Sequence, residues 1–336
     1  MKKLLKIVVI CVLVLCALLV VTISLTIGWR PFVGPKTRAL TDRKFESTPA
    51  RVERGSRLAH DTGCIFCHSP HDFKAPGQPV PPGRELSGQV LQYTDLPGRI
   101  SPPNLTPDKE TGAGNWTDDQ LARAIREGIG HDGRALFPMM PYQHLRHMSD
   151  EDLASIIVYL RSVPAVHSEV PKTEIIFPVK YLIRSAPEPV TEPVPEPDRS
   201  NNVKWGGYLV TRSGCEDCHT PAVKGQKVPG MDLAGGFTLT EPSGTATSAN
   251  ITPDASGISY YDEALFIQAL RTGLVKARQL SPIMPYSEYK YLSDEELKAM
   301  FAYLRTLKPV KHRVDNSLPP TKCKLCRGKH GAGDQN

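Results

Sequence analysis

Regular alternation of apolar and polar residues, the mark of a half-buried strand, is missing from this 336-residue chain. So is any strong excess of one charge. The first absence argues against a sheet-built fold; the second, a formal net charge of only +6, gives no electrostatic footprint for nucleic acid. No grouping of acid, base and nucleophile marks a catalytic centre. A long apolar run occurs in one place: Ile7 to Ile27 carries no charge, follows Lys2, Lys3 and Lys6, and ends at Trp29 and Arg30. Its length suits a single helix crossing a bilayer, whereas a cleavable signal peptide has an apolar region of about 7–15 residues and a small-x-small cleavage site, which is not evident here. Lysines on the amino-terminal side keep that end in the cytoplasm. A retained anchor over residues 1–30 in the cytoplasmic membrane is therefore expected, with the rest of the chain facing the periplasm or cell exterior. Cys11 and Cys16 fall inside the run and read as small apolar side chains of the helix.

Beyond the anchor the chain repeats itself. GCIFCHSP (Gly63 to Pro70) recurs as GCEDCHTP (Gly214 to Pro221), with Gly55 and Leu58 ahead of the first copy as Gly206 and Leu209 are ahead of the second. Asn104-Leu-Thr-Pro-Asp108 returns as Asn250-Ile-Thr-Pro-Asp254, FPMMPY (Phe137 to Tyr142) as SPIMPY (Ser281 to Tyr286), and MSDEDLASIIVYLRSV as LSDEELKAMFAYLRTL. Matches that keep one order along the chain make two domains, over residues 48–186 and 200–312. Between them, PEPVTEPVPEPD builds no core and predicts an extended, semi-rigid linker over 187–199. Ser149 with Asp152 and Ser293 with Glu296 predict capping boxes, each followed by apolar residues on one helical face. Residues 117–127 and 262–272 also read as helices, closed by Gly128 and Gly273. Each domain is thus a small set of helices joined by long loops, with little apolar core unless a large cofactor fills it.

The C-x-x-C-H motif admits three chemistries. A four-cysteine zinc site wants its second pair within about 15–20 residues, and here the pairs lie in separate repeats. A disulfide leaves the following histidine without a purpose. Covalent haem uses all the positions: the thiols of Cys64 and Cys67, and of Cys215 and Cys218, add to the vinyl groups, and the short turn brings His68 or His219 to the iron. The opposite face of each iron needs a second ligand, and the P-x-M-P-Y loop offers Met140 and Met284. A following proline holds each methionine extended. Met139 is the local rival of Met140, but its counterpart is Ile283, which has no donor atom. His144 and His147 read as solvated, and His60, His71, His131, His167 and His312 as structural. The Asn-(Leu/Ile)-Thr-Pro-Asp loop reads either as a polar contact to the haem edge or as a turn that fixes the chain.

With these motifs in place, C-x-x-C-H, NLTPDKETGAGNW, DGRALFPMMPY and the closing SDEDL…YLR resemble the class I c-type cytochromes, and in particular the cytochrome c subunit of membrane-bound alcohol and gluconate dehydrogenases, over residues 51–311. The resemblance implies an all-α fold, two tandem class I cytochrome c helical domains behind the transmembrane helix, with two covalently bound haem c groups and their iron. It implies an electron carrier that is not itself an enzyme, taking electrons from a dehydrogenase or quinol-linked donor and passing them to a terminal oxidase or other respiratory acceptor. A dihaem peroxidase and a docking subunit of a larger oxidoreductase are the competing readings; the peroxidase would need one iron with a displaceable ligand.

Members of that group typically carry a third haem site, and here its position holds only CKLCRGKHG, within a basic tail over 313–336. Arg327 stands where the histidine would be and has no lone pair to offer iron. In an oxidising compartment Cys323 and Cys326 are expected to form a local disulfide, with zinc shared between His330 and a partner, or free thiols, as the alternatives. Lys308, Lys311, Arg313, Lys322, Lys324, Arg327 and Lys329 read as a solvated stretch or as a surface for a negatively charged partner or lipid.

Overall fold

Two helix crossings organise the chain. The computed structural model describes residues 2–336 apart from Pro76, Lys224 and Ser243. In the first half helix Pro49–Asp61 packs on Asp150–Ser162, and in the second Asn202–Arg212 packs on Asp294–Thr306. The glycines repeated ahead of each C-x-x-C-H sit at these crossings. A Cβ on Gly55 would run into the carbonyl of Ser155, and one on Gly206 into that of Ala299, so the backbones touch where any other residue would hold them apart.

Local chemistry starts and stops the helices where the sequence predicts. Thr117 and Gln120 complete a capping box at the head of Asp118–Glu127, Asp262 caps Glu263–Thr272, and Gly128 and Gly273 end them in the left-handed conformation. Ser293 and Glu296 form the expected box, but Ser149 and Asp152 form only half of one. Ser149 accepts from the Asp152 amide, while the Asp152 carboxylate turns away to Arg54 at 2.7 Å and to the second half. The aspartate is one methylene shorter than a glutamate and is claimed by stronger, charged partners.

The buried faces then meet in two clusters, around Leu58, Ile65, Leu121 and Ile157 in the first half and Leu209, Phe266, Leu297 and Met300 in the second. Each such side chain contributes about 1.5–3 kcal/mol on burial. Strands, which the sequence did not lead one to expect, also occur. Among the described residues they form five two-stranded antiparallel pairs of two to four residues, too short for alternation to register. At the amino terminus, helix Lys2–Thr26 has no buried residue and is, among the described residues, the one helix long and apolar enough to cross a membrane, with a mean hydropathy of 3.3 over its most apolar stretch.

The linker is not a free spacer. Val194 and Asp150 exchange backbone and carboxylate bonds, Glu196 pairs with Arg54, and the Pro189 carbonyl accepts from Arg146, so the segment lies along the first half.

Candidate haem-binding site

Each C-x-x-C-H stretch is one short helix entered through a left-handed glycine: Gly63 (φ 78°) before Cys64–His68 and Gly214 (φ 65°) before Cys215–His219. One helical turn sets the two cysteines of each motif on one face and delivers the histidine next to them. His68 Nδ1 donates to the Pro103 carbonyl at 2.8 Å, and His219 Nδ1 to the Ala249 carbonyl at 2.7 Å. A carbonyl only accepts, so the ring proton sits on Nδ1 and the lone pair is left on Nε2. Burial holds His68 down to about 4 and depresses His219 as well, against a smaller opposing effect of the carbonyls. Both rings are neutral donors near neutral pH.

The carbonyls that orient the rings belong to the residues just before Asn104 and Asn250, which gives the repeated loop its role. Asn104 Oδ1 accepts from the Thr106 amide and hydroxyl, and its Nδ2 donates to the Val166 carbonyl at 2.8 Å. Asn250 does the same with Thr252 and the Val310 carbonyl. These side chains form a turn and tie the loop to the stretch of chain leaving the closing helix. Asn104→Ala strands several buried groups at once and is expected to cost about 2–4 kcal/mol in denaturant unfolding, with Asn104→Asp, which keeps the acceptor bonds, falling between it and the parent.

The methionine loops are built alike. The Met140 amide donates to the Phe137 carbonyl and the Met284 amide to that of Ser281, each at 3.0 Å, and both side chains pack on the core of their own half. Tyr142 and Tyr286, two residues on, lie against Gly128 and Gly273, where a Cβ would meet the ring at 2.6 Å. Those two glycines therefore serve both a left-handed helix end and a close approach to the loop that carries the methionine. Met139 lines the same cavity as Met140 but is not part of the core packing.

Both motifs and both loops open onto one continuous cavity of about 1610 Å³, walled by Leu121, Ile125 and Trp116 on one side and Phe266, Leu270 and Met300 on the other. Pockets for a single small ligand run to about 1,000 Å³, so this space exceeds one. Thiols, neutral imidazole nitrogens and thioethers arranged around an apolar void fit covalently attached haem.

The halves meet around this cavity through side chains that sequence reasoning passed over. Asp61 and Arg212 stand at the same repeat position, 151 residues apart, and pair with each other, both at 6% exposure or less. Arg212 also reaches Asp152 at 3.2 Å, to which the Tyr208 hydroxyl donates. Glu288 binds His60 at 2.6 Å, and its repeat counterpart, His144, binds Asp217 within the second motif at 2.6 Å. His144 is therefore engaged and not solvated. At Asp61 and Arg212 the contact joins equivalent positions of the two halves, as on the axis of a twofold interface, with opposite charges where a true dimer would place identical residues. The readable sign was there: charges of opposite sign at equivalent repeat positions next to each motif.

The tail departs from expectation. Cys323 and Cys326 are unbonded thiols, 0% and 1% exposed, and lie beside His312 and His330, so the free-thiol alternative and not the local disulfide is found, while Lys308, Lys311, Arg313, Lys322, Lys324, Arg327 and Lys329 are all exposed, as a solvated stretch requires.

The family model for cytochrome c matches residues 52–164 and 206–308, which covers the core of both halves. Among curated proteins the chain is similar to the fructose dehydrogenase cytochrome subunit of Gluconobacter japonicus, 30% identical over 290 residues, 78% of this chain and 54% of that protein. A nicotinate dehydrogenase subunit of Pseudomonas putida is 29% identical over 306 residues, 85% of this chain and 23% of its own length. A diheme cytochrome c-type protein of Cereibacter sphaeroides is 28% identical over 275 residues, 78% of this chain and 87% of that protein. The chain thus spans about half the length, or less, of the dehydrogenase subunits it matches.

Proposed function

This chain belongs to the cytochrome c family, whose members bind haem c covalently, and on that footing we propose that it is a membrane-anchored dihaem electron carrier. The observation that carries the reading is the pairing, in both halves, of a C-x-x-C-H turn with a methionine loop across one shared apolar cavity. Cys64 with Cys67, and Cys215 with Cys218, would hold the two groups; His68 and His219 would take one face of each, and Met140 and Met284 the other. When bound, haem c supplies a one-electron couple whose potential is raised by His/Met ligation. The chain's own residues then do three things. The Pro103 and Ala249 carbonyls hold the rings in one orientation, the apolar walls exclude water, and the ion pairs between Asp61, Asp152 and Arg212 fix the two halves relative to each other.

The domains are those over 48–186 and 200–312, in tandem, behind helix Lys2–Thr26 as a retained single-pass anchor that places them on the periplasmic side. A dehydrogenase is the donor that the similar subunits suggest, with a quinol-linked donor as the other source and a terminal oxidase or comparable protein as acceptor. The peroxidase reading needs an iron with a free face, and a methionine stands ready on both loops.

The ligand assignment is tested on the purified detergent-solubilised protein. Met140→Ala should remove the methionine-to-iron band at the red end of the ferric spectrum for one haem of the two and lower that potential, while Met139→Ala leaves both unchanged. The reverse outcome would move the ligand to Met139.

A further inference from the structure

We propose that His312, Cys323, Cys326 and His330 form a structural zinc site that clips the tail onto the second half of the molecule. Nothing in the electron-carrier reading requires it, and its test is independent of haem.

The four ligand atoms all lie within 4.8 Å of one another, and all four residues are at most 1% exposed. His312 Nδ1 donates to the Ala234 carbonyl and His330 Nδ1 to that of Gly331, each at 2.7 Å. As at the haem histidines, this places the ring protons on Nδ1 and leaves lone pairs on Nε2. Here, however, the two Nε2 atoms face each other at 3.2 Å, and Cys323 Sγ stands 3.5 Å from that of His312. Two lone pairs aimed at each other in a buried site repel, unless a cation lies between them. For zinc at about 2.0–2.1 Å from nitrogen and 2.3 Å from sulfur, the edges of a tetrahedron are about 3.3–3.8 Å, close to the 3.2 Å between the two imidazoles and the 3.5 Å from Cys323 to His312.

The surroundings suit thiolate ligands. The Cys326 amide points at Cys323 Sγ and the Gly328 amide at Cys326 Sγ, each at 3.4 Å. Arg327, between them, adopts φ 61°, which turns the chain sharply after the second cysteine, and strands Pro320–Lys322 and Lys329–Gly331 close the hairpin around it. Gly236 packs so closely that a Cβ there would meet His312 Cε1 at 2.7 Å and Cys326 Sγ at 3.3 Å. Val228, Met231 and Ala234 cover the remainder. Two sulfurs and two nitrogens, closed to solvent, are the donor set and accessibility of structural zinc; a catalytic site would keep a position open. The wall of the large cavity includes none of the four residues, so this C-x-x-C has no space for a third haem.

The experiment is elemental analysis of the full chain, purified in mild detergent without chelator or added metal. One zinc per chain is expected beside the haem iron, with loss of the zinc and unchanged haem iron in Cys326→Ser and in His330→Ala. Intact mass and peptide mapping read the same site in the parent protein even if a variant fails to fold: Cys323 and Cys326 should resist alkylation until a chelator and denaturant are added together, and then both react. A Cys323–Cys326 disulfide with no zinc, a different metal in the site, or zinc that survives either substitution would each overturn the assignment.

Discussion

Arg212→Ala is expected to destabilise the folded protein by about 3–5 kcal/mol, because it strips the partner from buried carboxylates. Arg212 is 6% exposed and Asp61 and Asp152 are 3% and 2% exposed, so water cannot replace the guanidinium. Asp152 keeps Arg54 at 2.7 Å and the Tyr208 hydroxyl, but Asp61 is left without its cation. Asp61 and Arg212 each stand three residues before the first cysteine of a motif, so the loss is felt at both C-x-x-C-H turns. Denaturant unfolding of the holo protein reads it. Asp61→Asn combined with Arg212→Met removes both charges and should recover most of the loss, since a vacated pair costs far less than a lone charge. An Arg212→Ala protein that unfolds with the parent would mean that the halves are held by their apolar contacts and not by this pair.

The second large effect is expected from Cys64→Ala with Cys67→Ala. Each half carries its own thiols, histidine and methionine loop, so haem content should fall from two per chain to one, by intact mass and by haem staining after denaturing electrophoresis. The first half would also lose the group that fills its side of the cavity, and its helix crossing at Gly55 and Ser155 should become the weaker of the two. Retention of both haems by a chain that folds would sink the attachment site.

Much of this was legible because it is local. One helical turn fixes what C-x-x-C-H can present, and the repeat itself sets Met140, and not Met139, opposite Met284. The capping and helix ends at Thr117, Gly128, Asp262 and Gly273 likewise depend on neighbours within a turn. What stayed hidden depends on distance. Comparing repeats searches for identity, whereas the contact between the halves joins unlike residues, Asp61 to Arg212 and His60 to Glu288. Spacing alone permits a disulfide at Cys323 and Cys326. Two imidazoles at His312 and His330, within the same stretch of sequence, make a different use of those thiols available, but the carbonyl of Ala234 that orients His312 comes from a loop that no such stretch contains.

The proline- and glutamate-rich stretch between the halves, held along the first half by Arg54, Arg146 and Asp150, carries a last consequence. A flexible tether raises the effective concentration of what it joins, on the order of millimolar for a short one. Here the joined surfaces already meet through Arg212, Tyr208, Glu288 and His144. Covalent continuity therefore matters while the two halves are finding each other. In the finished molecule the peptide at residues 187–199 bears no strain of separation, and the spacing of the halves is a property of their shared surface and not of the length of chain between them.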